Sequence, residues 1–145
     1  MSECKERVED MLGAIKESPD PNMLHLLECC GGKCSKRKYF VDTMQKLKPL
    51  AANCKTRSEY VAFLQEHIAV GKVAETADGM VLHLGKTSCS CPMIPEIQEN
   101  TDMLCECTKG SNIATWSAFF GKPVKAEIQE SILRGGNDCV IKIIF

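Results

Sequence analysis

Cysteines are the side chains of this sequence with the most chemistry to offer, and there are ten of them in 145 residues. Seven fall in three short motifs: Cys29, Cys30 and Cys34 in ECCGGKC, Cys89 and Cys91 in CSCP, and Cys105 and Cys107 in CECTKG. Residues two apart on a β-strand share a face, so each Cys-x-Cys pair predicts two sulfurs aimed the same way. Two such pairs predict a four-thiolate site suited to zinc or to an iron–sulfur cluster. The same alternation also serves core packing, so both interpretations stay open.

The ECCGGKC motif predicts a different chemistry. Its two glycines predict a sharp turn between two helices, which places Cys34 in the first turn of the second helix. A helix amino terminus favours a thiolate, and the neighbouring cations reinforce that effect. Those cations are Lys33, Lys36, Arg37 and Lys38. Cys34 is therefore the candidate nucleophile, redox centre or metal ligand; the alternative is that the cysteines fill a seam between helices.

A candidate ligand site comes from aromatic and histidine side chains. Trp116, Phe119 and Phe120 recur at helical spacing, which is typical of a core face but also of a helix that lines an apolar cavity. His83 lies in a predicted strand and precedes the CSC pair in the same segment. These four residues are the predicted ligand-binding set.

Composition narrows the class of protein. A chain with 44% hydrophobic and 26% charged residues is typical of one globular domain, and a formal net charge of −1 argues against nucleic-acid binding. The amino-terminal MSECKERVEDML lacks the apolar core of a secretory signal, and no run is long enough to span a bilayer. We therefore expect a cytoplasmic protein without a membrane partner, whose thiols are free rather than paired in disulfides.

Hydrophobic periodicity predicts the elements that must position these residues. Helices are predicted over 3–17, from the N-cap Asn22 to Gly31-Gly32, over 33–48, from a Thr56/Glu59 capping box to Gly71, and over 111–120. Strands are predicted at 72–75 and 80–84 around an Asp-Gly turn, running on to 91, and at 103–108, 124–133 and 139–145. The order predicts a single α+β domain over 1–145, with helices over 1–70 and a hairpin–helix–hairpin over 71–145 that forms an antiparallel four-stranded sheet.

The carboxy-terminal half resembles the 4-vinyl-reductase-type small-molecule-binding domain over roughly residues 80–145. The resemblance rests on Gly110 and Gly121 around the helix, on Pro123-Val124 at the strand entry, and on Gly135 and Cys139 in the last hairpin. It implies the helix-on-sheet fold of vesicle-tethering and haem-nitric-oxide-binding relatives. The first half is similar to a cysteine-rich family of stand-alone bacterial and archaeal proteins, and more distantly to the aminothiazoline-carboxylate hydrolase-like group.

The resemblance also implies ligands. Relatives bind small apolar molecules or tetrapyrroles, and some hold a zinc partly by two cysteines of the final hairpin. Cys139 matches the second of these, whereas the first falls at or near Ser131. The CSC and CEC pairs are therefore the predicted metal donors, with Cys139, Cys30 or Cys34 completing the shell.

Two functions follow as hypotheses. The leading one is a binding or sensor module for a small apolar ligand, held between helix 111–120 and the sheet, with a cysteine-bound zinc nearby; an iron–sulfur cluster or no metal are the alternatives. The rival is an enzyme with a reactive cysteine, either a hydrolase of a small heterocycle or a thiol redox protein. A homodimer is expected if the chain resembles the tethering relatives.

Overall fold

A computed structural model describes residues 3–34, 38–68, 71–85, 89, 91 and 93–145. Over these residues the chain has the predicted α+β class, with five α-helices and a four-stranded antiparallel sheet. The elements are α1 (Glu3–Glu17), α2 (Pro21–Gly32), α3 (Lys38–Leu47), α4 (Arg57–His67), β1 (Lys72–Thr76), β2 (Gly79–His83), α5 (Leu104–Phe120), β3 (Lys125–Glu130) and β4 (Val140–Ile144). No helix within these ranges has the length and apolar content that crossing a bilayer requires.

The sheet has the strand order β1-β2-β4-β3, and every neighbouring pair is antiparallel. Both predicted hairpins are confirmed, because the strand alternation and the turn residues are local signals. The strand predicted over 124–133 is too long, since β3 ends at Glu130 and Ile132–Arg134 form a 3₁₀ turn. β2 and β4 are central, and Leu82 pairs with Ile141 while Met80 pairs with Ile143. These four side chains are buried and share one face, so that face carries the core.

Helices α4 and α5 cover this face. Leu64 of α4 and Phe119 of α5 are almost completely buried against the sheet, and Trp116 packs in the same cluster. A second, smaller cluster joins α1 to the start of α5 and contains Leu12 and Leu104. The sheet core therefore lies along the second half of α5, and the smaller cluster lies at its amino-terminal end.

Two helix starts show how local sequence sets the boundaries. The predicted capping box of α4 is confirmed, since Thr56 accepts the Glu59 backbone N–H and the Glu59 carboxylate accepts the Thr56 backbone N–H. The N-cap predicted at Asn22 is wrong, because α2 begins one residue earlier at Pro21. The Asp20 carboxylate caps it by accepting the Asn22 N–H at 2.7 Å.

Two sequence predictions on the cysteine segments are corrected. Residues 103–108 are not extended: Thr101–Met103 form a 3₁₀ turn and α5 starts at Leu104, so the CEC motif is helical. The placement of Cys34 in the first turn of α3 stays a prediction, because residues 35–37, which join Cys34 to Lys38, lie outside the described part. β2 ends at His83, and of its predicted continuation to 91 the residues 86–88 and 90 lie outside the described part.

Candidate functional site

The site is built on the crossing of α2 and α5, which glycine makes exceptionally close. A β-carbon at Gly31 would overlap the carbonyl oxygen of Cys107, and one at Gly110 would overlap the carbonyl oxygen of Glu28. Backbone therefore meets backbone at two points, and only glycine fits at either. α2 ends at Gly32, as the two glycines of ECCGGKC predicted, but its C-cap is Lys33, which is not left-handed.

This crossing gathers four cysteines, which we call the first thiol group. Its members are Cys30, Cys34, Cys91 and Cys107. Burial is the main reason that the pKa of the Cys107 thiol rises to about 11, and like-charge repulsion from each of the other three adds to that rise. Cys107 is thus the member on which the other three act, although they come from separate segments of the chain.

A second thiol group lies around Cys105, which is buried. Burial raises the pKa of its thiol, and repulsion from Cys89 and Cys139 acts in the same direction. A hydrogen bond of 3.0 Å between the Cys105 sulfur and the Ser131 hydroxyl opposes the rise, as does the charge of Arg134. The second thiol group is therefore three cysteines and one serine, and Ser131 stands where the resemblance expected a cysteine.

The two Cys-x-Cys motifs each contribute one sulfur to each group. Cys105 and Cys107 are about 200° apart around α5, because an α-helix turns about 100° per residue. They consequently point to different sides of the helix, whereas a strand would have pointed them together. Cys89 accompanies Cys105, and Cys91 accompanies Cys107. The prediction that each pair aims both sulfurs at one site is wrong in this respect.

The loop that brings the CSC segment to α5 is fastened to α1 by Glu9. Its carboxylate accepts the backbone N–H of Gln98 at 2.7 Å and of Glu99 at 3.2 Å, and its own carbonyl accepts from the Asn100 side chain. The two bonds to the carboxylate lower the pKa of the Glu9 carboxyl, most strongly the one from Gln98, and burial partly opposes them. Cys91 packs against the apolar cluster beneath this loop. The position of Cys91 beside the α2–α5 crossing therefore depends on α1.

Neither group is already arranged as a metal centre. Across the ranges that the structure describes, no three His, Cys, Asp or Glu side chains are set to hold a metal ion together. The raised pKa of Cys107 means that its thiol is protonated at neutral pH, so a metal would have to displace the proton. What the chain supplies is a set of soft sulfur donors, from α2, from the CSC segment and from the residue that follows α2, that act electrostatically on Cys107 of α5.

Of the cationic environment that the sequence predicts for Cys34, only part lies among the described residues. Its backbone N–H donates to the Gly31 carbonyl and its carbonyl accepts from Lys38, while the predicted cations Lys36 and Arg37 lie outside the described residues. Cys34 thus belongs to the first thiol group through its electrostatic effect on Cys107.

One thiol arrangement escaped sequence reasoning. The Cys29 sulfur lies 3.6 Å from His25 Nε2, and His25 Nδ1 lies 3.5 Å from a carboxylate oxygen of Glu28. Lys109 of α5 also pairs with Glu28, at 2.9 Å. The spacing of four residues between His25 and Cys29 on a predicted helix was the signal that could have found it. Cys29 and its neighbour Cys30 are both exposed, but only Cys30 acts on Cys107 and so belongs to the first thiol group.

The structure does not bring the predicted ligand-binding residues to one place. Trp116 and Phe119 are buried in the core. His83 alternates along β2 with the core residue Leu82, so it lies on the opposite face of the sheet from α5. His83 is therefore separated by the sheet from the three aromatic residues.

Part of the aromatic set does line a groove at the carboxy-terminal end of α5. Phe119 and Phe120 form one wall together with Tyr60 of α4, and the turn that follows α3 forms the other with Lys48 and its neighbours. The groove has a volume of about 310 Å³. Its lining side chains are apolar apart from those of Tyr60 and Lys48, so the groove differs in chemistry from the thiol groups.

The fold and the site define a class: an α+β protein in which two groups of cysteines lie around a helix that packs on an antiparallel sheet. Residues 7–145 match a family of unknown function, DUF6144, and the chain belongs to that family. A comparison with curated proteins finds no match.

Among solved structures, a trafficking protein particle complex subunit 3 from Naegleria fowleri, covalently bound to palmitic acid, is similar to this chain. The two share 13% sequence identity with a TM-score of 0.44, over 97% of this chain and 93% of that one. The resemblance to 4-vinyl-reductase-type domains, the cytoplasmic location and the homodimer stay predictions.

Proposed function

We propose that this protein is a metal-binding module that holds zinc with the four cysteines of the first thiol group. The observation that carries the proposal is the contact of Gly31 with the Cys107 backbone, which sets Cys30 on α2 beside Cys107 on α5. Cys34 follows the end of α2, where its N–H donates to the Gly31 carbonyl. The same crossing thus accounts for three of the four donors.

The donor set suits zinc. Four cysteine thiolates around zinc form a closed tetrahedral site, and such sites are structural rather than catalytic. Soft sulfur donors also select zinc over magnesium or calcium. Binding requires that the thiols lose their protons and approach one another, so zinc would fix Cys91 and its loop against the α2–α5 crossing. We therefore expect zinc to stabilise the smaller apolar cluster most.

Metal analysis of protein purified without added metal tests the proposal. We expect about one equivalent of zinc per chain. Cys91→Ser and Cys107→Ser should each lose most of it, whereas Cys54→Ser, which removes a cysteine outside both groups, should keep it. Wild-type protein without stoichiometric metal, even after reconstitution under reducing conditions, contradicts the proposal. If the purified protein instead contains iron and acid-labile sulfide and absorbs visible light, the bound group is an iron–sulfur cluster and not zinc.

Alkylation of the thiols distinguishes this function from the rival enzyme. With zinc present, Cys30, Cys34, Cys91 and Cys107 should be protected from iodoacetamide, whereas exposed Cys4 and Cys29 should react at the same rate with and without zinc. Peptide mass spectrometry gives each rate separately. A zinc-independent rate at Cys34 well above that of Cys4 would instead support the enzyme with a reactive cysteine.

A further inference from the structure

We propose that the groove at the carboxy-terminal end of α5 binds a small aromatic carboxylate, with Lys48 as its counter-ion. This site is separate from the thiol groups, which lie at the other end of the same helix. The inference stands on the groove's lining, its size and the placement of one ammonium group, and it goes beyond metal binding.

The body of the ligand is indicated by the aromatic wall. The Tyr60 ring meets the Phe120 ring edge to face at 5.4 Å and the Phe119 ring at 6.1 Å. Phe120 is in turn stacked on Phe145 at 4.0 Å, which holds it in place. A flat ring can add to such a set by further edge-to-face or offset contacts.

The size of the groove sets a limit on the ligand. Small side chains, those of Ala51 and Ala52, face the aromatic wall and leave the space between them open. A volume of about 310 Å³ lies at the lower end of small-molecule pockets, which span roughly 300–1,000 Å³. The groove therefore suits a body of one or two rings rather than a tetrapyrrole.

The charge of the ligand is indicated by Lys48. A β-carbon at Gly121, the left-handed residue that ends α5, would overlap Lys48 Nζ, so the ammonium lies directly over the end of the helix. The carbonyls of a helix carboxy terminus favour a cation there, which helps to keep the side chain at the groove. No carboxylate within the described ranges forms an ion pair with Lys48. The groove thus offers one uncompensated positive charge beside an apolar wall, which is the complement of an aromatic carboxylate.

Calorimetric titration with two ligands of the same shape tests the inference. The probes are 2-naphthoate and its uncharged counterpart 2-naphthalenemethanol. We expect saturable one-to-one binding of 2-naphthoate to the wild-type protein with a Kd below about 1 mM. The alcohol should bind about fivefold more weakly, because a partly exposed charge pair contributes up to about 1 kcal/mol.

Three variants separate charge from shape. Lys48→Met keeps the apolar stem of the side chain but removes its charge. It should lower the affinity for 2-naphthoate about fivefold, so that the acid and the alcohol bind equally well. Lys46→Met removes an exposed lysine that does not line the groove and should change neither ligand. Ala52→Leu fills the groove from an exposed position, so it should abolish binding of both ligands while the protein stays folded.

Three results would overturn the inference. The first is that folded wild-type protein shows no saturable binding of 2-naphthoate. The second is that Lys48→Met binds 2-naphthoate as tightly as wild type does, and the third is that Ala52→Leu binds both ligands as tightly as wild type does. Salt provides a further check, since the preference for the acid over the alcohol should shrink as ionic strength rises.

Discussion

The carbonyl oxygen of Cys107 occupies the position that a β-carbon at residue 31 would need, so Gly31 and Cys107 touch backbone to backbone. This contact decides how closely α2 approaches α5, and through that distance it decides whether the sulfurs of the first thiol group lie within reach of one another. Neighbouring Gly32 has no such constraint, because a β-carbon there would meet its nearest atoms at 3.7 and 3.9 Å.

Gly31→Ala is therefore expected to lower the free energy of unfolding by about 1–3 kcal/mol, since overpacking of a close contact typically costs that much. It should also abolish zinc binding by separating Cys30 from Cys107. Gly32→Ala should stay within about 0.5 kcal/mol of wild type and keep its zinc, because alanine is tolerated well in a helix. Urea denaturation and metal analysis of both variants give the comparison; equal effects of the two substitutions would refute the role of the crossing.

Alkaline pH should destabilise the metal-free protein through Cys107. Its thiol has a pKa of about 11 in the folded state against 9.0 for an ordinary cysteine, so the folded state favours the neutral form. The stabilisation is complete below the ordinary pKa of 9.0 and is lost as the pH rises through about 11. Denaturation of reduced, chelator-treated protein at pH 8 and pH 11 measures the loss. Cys107→Ala should show a smaller loss, and an identical loss in the variant would contradict this assignment.

Acid pH should act through Glu9. The Gln98 N–H is the main reason that the pKa of this carboxyl is lowered, so the folded state favours the ionised form. The stabilisation is present above the unfolded pKa near 4.5 and is lost as the pH falls through the lower folded value. Wild-type protein should therefore lose more stability between pH 6 and pH 3 than Glu9→Gln does. The variant controls for all the other acidic groups, which are the same in both proteins. If the two curves of stability against pH run parallel, Glu9 does not fasten the loop.

Ser131→Cys should create a second zinc site. The Ser131 hydroxyl already lies 3.0 Å from the Cys105 sulfur, and Cys89 and Cys139 complete the second thiol group. A fourth sulfur at this position supplies the closed set of donors that structural zinc sites require. The zinc content should rise by about one equivalent over wild type. Ser131→Ala is the matched control and should bind no more zinc than wild type; unchanged content in Ser131→Cys would show that these sulfurs cannot converge.

The sequence sufficed for elements whose signals are local. The Asp78-Gly79 turn predicted the first hairpin, and Thr56 with Glu59 predicted the start of α4. The sequence prediction failed for residues 103–108, which were predicted to be a strand. In the structure Leu104, Ser111 and Thr115 are buried along one side of α5, and this tertiary packing makes the segment helical.

The candidate site was predictable in its residues but not in its grouping. Six of the seven motif cysteines lie in the two thiol groups, and the seventh, Cys29, contacts His25 instead. Their division into two groups follows from the helical phase of the CEC motif, which sequence spacing alone does not reveal. The closeness of Gly31 to Cys107 likewise depends on two segments about 75 residues apart in the chain, and no local rule connects them.

α5 carries both proposed sites on one continuous helix. Cys107 in its first turn and Phe119 in its last are separated by about 18 Å at a rise of 1.5 Å per residue. A shift of α5 along its axis, or a tilt of α5, therefore moves both ends of the helix. We therefore expect zinc binding at the first thiol group to change the affinity of the groove for its ligand. Ligand titrations should be carried out separately on metal-free and on zinc-loaded protein.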